Sequence, residues 1–106
     1  MTKKVFISQP MKGKTKEDII EERWELVKYL EDEGYVVVPS IVAETPEEAN
    51  SRPVYYLSKS IKMLSMSDCA YFMPGWEDAR GCKIEHTIAK EYGIPIMHEV
   101  VKWLKG

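Results

Sequence analysis

Glu77, Asp78 and Glu85 are gathered around Arg80 and Gly81 in one segment, Phe72-Met-Pro-Gly-Trp-Glu-Asp-Ala-Arg-Gly-Cys-Lys-Ile-Glu85-His86. A carboxylate can attack an anomeric carbon, and a second acidic group can then protonate the leaving group. The same residues have a structural reading. Glu77 and Asp78 can cap a helix, and Glu85 can favour its positive end. Trp76, in the turn before them, is either a stacking surface for a base or sugar or a hydrophobic plug. A second cluster, Ser8-Gln9-Pro10-Met11-Lys12-Gly13-Lys14, offers backbone N–H groups near a helix start together with Lys12 and Lys14. That chemistry suits an anion such as phosphate. The G-x-x-x-x-G-K-[ST] spacing of a Walker loop is absent, and both lysines also read as solvated loop residues.

Other chemistry is less well supplied. His86 follows Glu85 directly, so the two side chains leave a helix about 100° apart, which argues against a His/Glu dyad. His98 follows an edge strand and has no evident partner. Neither histidine has metal-ligand spacing, and no metal or cofactor is expected. Cys69 and Cys82 form no C-x-x-C pair; Cys69 lies in an apolar run and reads as core. The formal net charge is −2 and the isoelectric point is near 5.7, which argues against a nucleic-acid polymer as partner. The N-terminal apolar run is too short for a signal peptide, and no stretch approaches the length of a membrane span. A reducing cytoplasm is the expected location.

The elements that must position these residues follow from hydrophobic period. Val5–Ser8 reads as a central parallel strand. Thr15 and Asp18 form a variant capping box. Residues 16–32 then carry Ile19, Ile20, Trp24, Val27 and Leu30 at helical spacing, with Trp24 expected in the core and Gly34 as the stop. Tyr35–Val38 is a β-branched second strand. Residues 40–53 form the longest irregular stretch. Residues 54–66 make a second helix, 69–73 a third strand, 82–92 a third helix, and Ile94–Met97 an edge strand opened by proline. Val100–Leu104 reads as a short terminal helix, where Trp103 packs.

Strands alternating with helices imply one α/β domain over residues 1–106, with helices on both faces of a parallel sheet. In a sheet ordered 2-1-3-4, strands one and three are neighbours and the switch point lies between them, so the loops Ser8–Lys14 and Pro74–Gly81 face one crevice.

These segments resemble the nucleoside 2-deoxyribosyltransferase superfamily, including the 2′-deoxynucleoside 5′-monophosphate N-glycosidases, and most of all a small phage and bacterial branch. The matching pieces are Val5–Gly13, Ser67–Phe72, Pro74–Glu85 with Ala89, and Tyr92–Ile96. The resemblance implies a flavodoxin-like three-layer sandwich with a four- to five-stranded parallel sheet, and N-glycosidic bond cleavage or transfer on a nucleoside or nucleotide. It implies Glu85 as nucleophile; among the residues of the turn, Asp78 or Glu77 is the candidate acid. It places Ser8, Gln9, Met11, Lys12 and Gly13 at the sugar 5′ end or its phosphate, with Gly81 allowing close backbone approach; Lys14, Trp76, Glu77 and Arg80 complete the candidate ligand set. By analogy it also implies a homodimer or larger homo-oligomer. Several positions depart from the family pattern. Ala79 stands where characterised members carry Asp or Ser, Ser60 stands where they carry an acid, and Ser8-Gln9 stands where transferases carry an aromatic. Lys83 replaces a small residue, and the C-terminal segment is shorter. A non-catalytic nucleotide-binding protein that keeps the crevice is the alternative reading.

Overall fold

A computed structural model describes residues 2–39 and 49–98. The elements run β1 (Lys3–Ser8), α1 (Lys16–Asp32), β2 (Tyr35–Val38), α2 (Arg52–Ser65), β3 (Cys69–Phe72), a 3-10 turn (Trp76–Asp78), α3 (Arg80–Glu91) and β4 (Ile96–His98). The four strands form one all-parallel sheet, as the alternation of strand and helix predicts, in the order β2-β1-β3-β4 that a flavodoxin-like sheet has. Residues 40–48, and the Val100–Leu104 segment with Trp103, lie outside the described residues.

Alternation along the strands separates two cores. Val5, Ile7, Cys69 and Tyr71 pack with Leu26 and Leu30 of α1 on one face. Phe6, Ala70 and Phe72 pack with Leu64 of α2 and Ala89 of α3 on the other. Helices thus cover both faces, which explains why β3 is buried along its whole length. The bottom of the β1–β3 pair is closed by a reciprocal link. The Lys4 N–H donates to Asp68 Oδ2 at 2.7 Å, and the Asp68 N–H donates to the Lys4 carbonyl at 2.8 Å.

The capping box forms with aspartate in the third position. The Asp18 N–H donates to Thr15 Oγ1 at 3.1 Å, and the Thr15 N–H donates to Asp18 Oδ2 at 3.3 Å. Ser51 caps α2 through the Val54 N–H, so α2 begins two residues before its apolar repeat. Likewise α3 begins at Arg80 rather than at residue 82. Pro95 immediately precedes β4, and its carbonyl accepts the Ala70 N–H at 2.9 Å. A proline fits that entry position because no ladder N–H is required of it there.

Trp24 departs from its expected place in the core. It is 59% exposed, and Lys28 Nζ sits 5.3 Å from its ring centroid. The buried residues of α1 are Ile19, Arg23, Leu26 and Leu30. Arg23 takes the inward position because Gln9 Oε1 accepts its Nε–H at 2.7 Å, which satisfies a polar group that would otherwise be costly to bury. The next residue along the helix then points outward.

Candidate active site

A crevice of about 720 Å³ opens at the carboxyl edge of β1 and β3, where ligands bind in open α/β sheets. The loop after β1 forms one wall, the turn before α3 and its first residues form another, and α2 closes the third. Gly75 allows the turn its shape. It has φ +93, in the left-handed region, and an added Cβ would rest 3.5 Å from Pro10 Cγ.

Glu85 lies in the second turn of α3, on the buried stripe Cys82, Glu85, Ala89. It is 6% exposed yet lines the crevice. The Ser8 Oγ–H donates to Glu85 Oε1 at 2.6 Å. Burial pushes the carboxyl above its ordinary range, while the Ser8 hydroxyl, and after it the Ser60 hydroxyl, pull it back down. Burial likewise raises the Cys82 thiol, the neighbouring Glu85 charge adds to this, and the Ser8 hydroxyl opposes it.

Several candidate residues take other roles. The Ser8 side chain is fully buried and its hydroxyl is given to Glu85. The Gln9 side chain points into the start of α1: its Nε2 donates to the Ile19 carbonyl at 2.9 Å and to Glu22 Oε1 at 3.2 Å, while its Oε1 accepts from Arg23. Both residues still line the crevice, as do Met11, Lys12, Asp78, Arg80 and Gly81. Gly13, Lys14, Trp76 and Glu77 are not among the lining residues. Gly13 turns the chain at φ +78. Lys14 Nζ pairs with Glu22 Oε1 at 2.9 Å. The Trp76 ring is stacked on His86, with centroids 3.9 Å apart and planes 10° from parallel, and meets Phe72 edge-on. One face of the indole is thus occupied by His86. His98 joins the same stack, 5.6 Å from both Trp76 and His86; it has partners that its position after an edge strand does not reveal.

Glu77 and Asp78 do not cap α3. Ala79 occupies the cap position without a side-chain hydrogen bond, and the first helical bond is donated by Lys83 to the Ala79 carbonyl at 2.9 Å. The α2 wall is the part that motif reading missed. Pro53, Tyr56, Leu57 and Ser60 line the crevice at the i, i+3, i+4, i+7 spacing of one helix face, a pattern present in the sequence. No group of three or more His, Cys, Asp or Glu side chains is placed to hold a metal ion among the described residues. Nor is any of their helices long and apolar enough to cross a membrane.

The architecture is similar to a solved structure of 2-deoxyribosyltransferase from Bacillus psychrosaccharolyticus, with a TM-score of 0.66 and 15% sequence identity over 90% of this chain and 70% of that one. At that identity the likeness establishes the fold, which is the nucleoside deoxyribosyltransferase fold. Comparison with curated proteins finds no match. A family described as a domain of unknown function, DUF4406, matches residues 3–98. With that match running from the first residue of β1 to the last of β4, the chain belongs to the DUF4406 family.

Proposed function

We propose that the crevice cleaves or transfers the N-glycosidic bond of a nucleoside or nucleotide, with Glu85 as the nucleophile. The observation that carries this reading is a carboxylate buried in the crevice wall at the switch point and gripped at 2.6 Å by Ser8. The fold shared with a 2-deoxyribosyltransferase supports the substrate class. In this chemistry a Glu85 oxygen forms a bond to C1′ while the C1′–N bond breaks. The electron pair leaves with the base nitrogen, and Asp78, the other carboxylate among the lining residues described, supplies the proton. Water or a second base then attacks C1′ and releases Glu85. Lys12 and Arg80 line the same space and suit a phosphorylated sugar.

The purified chain, incubated with deoxynucleosides and their monophosphates, is expected to release or exchange base, and Glu85→Ala to abolish this. Neither release nor exchange across the whole panel at high protein concentration would end the catalytic reading. Size-exclusion chromatography with light scattering tests the homo-oligomer that accompanies it.

A second reading, nucleotide binding without turnover, is favoured by one feature. Asp78 is solvent-exposed, and Ala79 beside it brings no functional group to the crevice. That reading predicts that nucleotides raise the melting temperature without base release, and that Glu85→Gln leaves the effect intact.

A further inference from the structure

We propose that Glu22, which lies outside the crevice, pins both feet of the crevice loop Gln9–Lys14 and so positions Met11 and Lys12 for the ligand. The proposal rests on the reading of the crevice as a nucleoside or nucleotide site, which supplies that ligand.

The loop has little of its own to hold it. Met11, Lys12, Gly13 and Lys14 are all exposed, and Pro10 is half-buried. Its internal order is one turn, in which the Lys14 N–H donates to the Met11 carbonyl at 3.2 Å while Gly13 takes φ +78. A segment so poor in buried contacts belongs to the least stable part of a fold unless something outside ties it down.

The ties lie at its two ends and meet on one atom. At the entry, Gln9 Nε2 donates to Glu22 Oε1 at 3.2 Å; at the exit, Lys14 Nζ donates to the same oxygen at 2.9 Å. The Gln9 side chain is held in place for this contact. Gln9 is 5% exposed, its Nε2 also donates to the Ile19 carbonyl at 2.9 Å, and its Oε1 accepts the Arg23 Nε–H at 2.7 Å. Donors and acceptors at both ends of the amide fix which end faces Glu22. Glu22 thus takes the entry through a buried neutral group and the exit through a cation. Met11 and Lys12 hang between the two feet and line the crevice, whereas Lys14 and Glu22 do not.

The two lysines thereby divide their roles. Lys14 is engaged by Glu22, while Lys12 has no ion pair among the described residues and keeps its ammonium for a ligand. A loop ordered before the ligand arrives removes part of the ordering cost from binding.

The test is backbone NMR of the full chain, with the heteronuclear NOE read at Met11, Lys12 and Gly13. Glu22→Ala is expected to lower it at all three. Glu22→Gln keeps an oxygen for both feet and should fall between Glu22→Ala and the unmodified chain. Lys14→Met frees the exit alone, and adding it to Glu22→Ala should loosen the loop no further, since both remove one pin. Glu22 is exposed, so its substitution leaves the core intact. An unchanged NOE at Met11 and Lys12 in Glu22→Ala would overturn the proposal.

Calorimetric titration with the common deoxynucleoside 5′-monophosphates then reads the positioning role. Glu22→Ala is expected to weaken binding by about two- to fivefold, the scale of a half-exposed charged pair, and to raise KM by the same factor while kcat holds. A loosened loop with unchanged affinity would equally overturn the proposal. A role in folding alone would lower the melting temperature without separating KM from kcat. A loop that loosens in Glu22→Ala, with neither binding nor turnover of any nucleoside or nucleotide by the unmodified chain, sinks the nucleotide reading and leaves the pin standing. Turnover with an unmoved NOE does the reverse.

Discussion

The Trp76 indole lies face to face with the His86 imidazole, 3.9 Å between centroids. This pairing joins the 3-10 turn to α3 directly behind the crevice. His86 is flanked by His98 and Lys90, while Glu77 counts in the opposite sense. Its pKa lies below the ordinary 6.5, by partial burial first and then by those two positive neighbours. A base whose folded pKa is depressed contributes stability that is present above its unfolded pKa and lost as pH falls through the folded value. Thermal melts of the chain are therefore expected to lose stability as pH drops below about 6.5. His86→Phe keeps a ring on Trp76 and removes the titration, so its melting temperature should fall less steeply between pH 7 and 5. A slope equal to that of the unmodified chain would show that the stack does not set the acid limb.

Glu85 works in the opposite direction. Its folded pKa is raised by burial, so its contribution is fully present below the unfolded pKa and lost as pH rises through the folded value. Glu85→Gln removes a buried charge while keeping an acceptor for Ser8. It should melt higher than the unmodified chain at pH 8, by an amount on the scale of single stabilising substitutions, about 0.5–2 kcal/mol. The two melting curves should converge at pH 4. A variant less stable at pH 8 would mean that the ionised carboxylate is a net structural asset.

Gly75 sets the turn between β3 and α3 through its φ of +93. The space beside it is ordinary, so the cost of a side chain lies in the backbone. Gly75→Ala is expected to cost about 1–2 kcal/mol in urea unfolding, and Gly75→Asn less, since asparagine visits the left-handed region more readily. Equal losses for the two would point to crowding against Pro10 instead.

Trp24 and Leu26 make an internal control on α1. Leu26 is 1% exposed, and Leu26→Ala should cost about 2–5 kcal/mol. Trp24→Ala should stay within about 0.5 kcal/mol, as for an exposed position free of special contacts, apart from the loss of its pairing with Lys28. A loss at Trp24 as large as that at Leu26 would place the ring in a contact surface, and light scattering on the same samples would then reveal whether copies of the chain associate through it.

Period and punctuation carried most of the fold. The apolar runs at Val5 and Cys69, the Thr15–Asp18 cap and the stop at Gly34 each report a local preference that the folded chain keeps, and the strand–helix alternation then makes the sheet parallel. What escaped depends on partners distant in sequence. Whether Arg23 or Trp24 turns inward is decided by Gln9, 14 residues before Arg23. The face of Trp76 is taken by His86 and His98, which arrive on two later elements. Ser60 is an ordinary helix serine until α2 closes one wall of the crevice. Charged and glycine-rich turns reveal themselves as motifs, whereas the Ser8 hydroxyl meeting the Glu85 carboxylate 77 residues away leaves no local mark.

The Lys4–Asp68 link has a consequence for assembly. The central strand β1 is made first, yet its β3 neighbour lies some 64 residues on, the separation spanned by that link. Such a pairing carries a large loop-closure cost and is slow for that reason. A β1-α1-β2 crossover unit can form early, but it leaves one edge of β1 open, and Ser8 without a carboxylate, until β3 and α3 dock. The crevice is therefore a late product of folding. Asp68→Ala, which removes the side-chain half of the reciprocal pair, should lengthen the interval in which that edge stands exposed to other chains, with aggregation during refolding as the first sign.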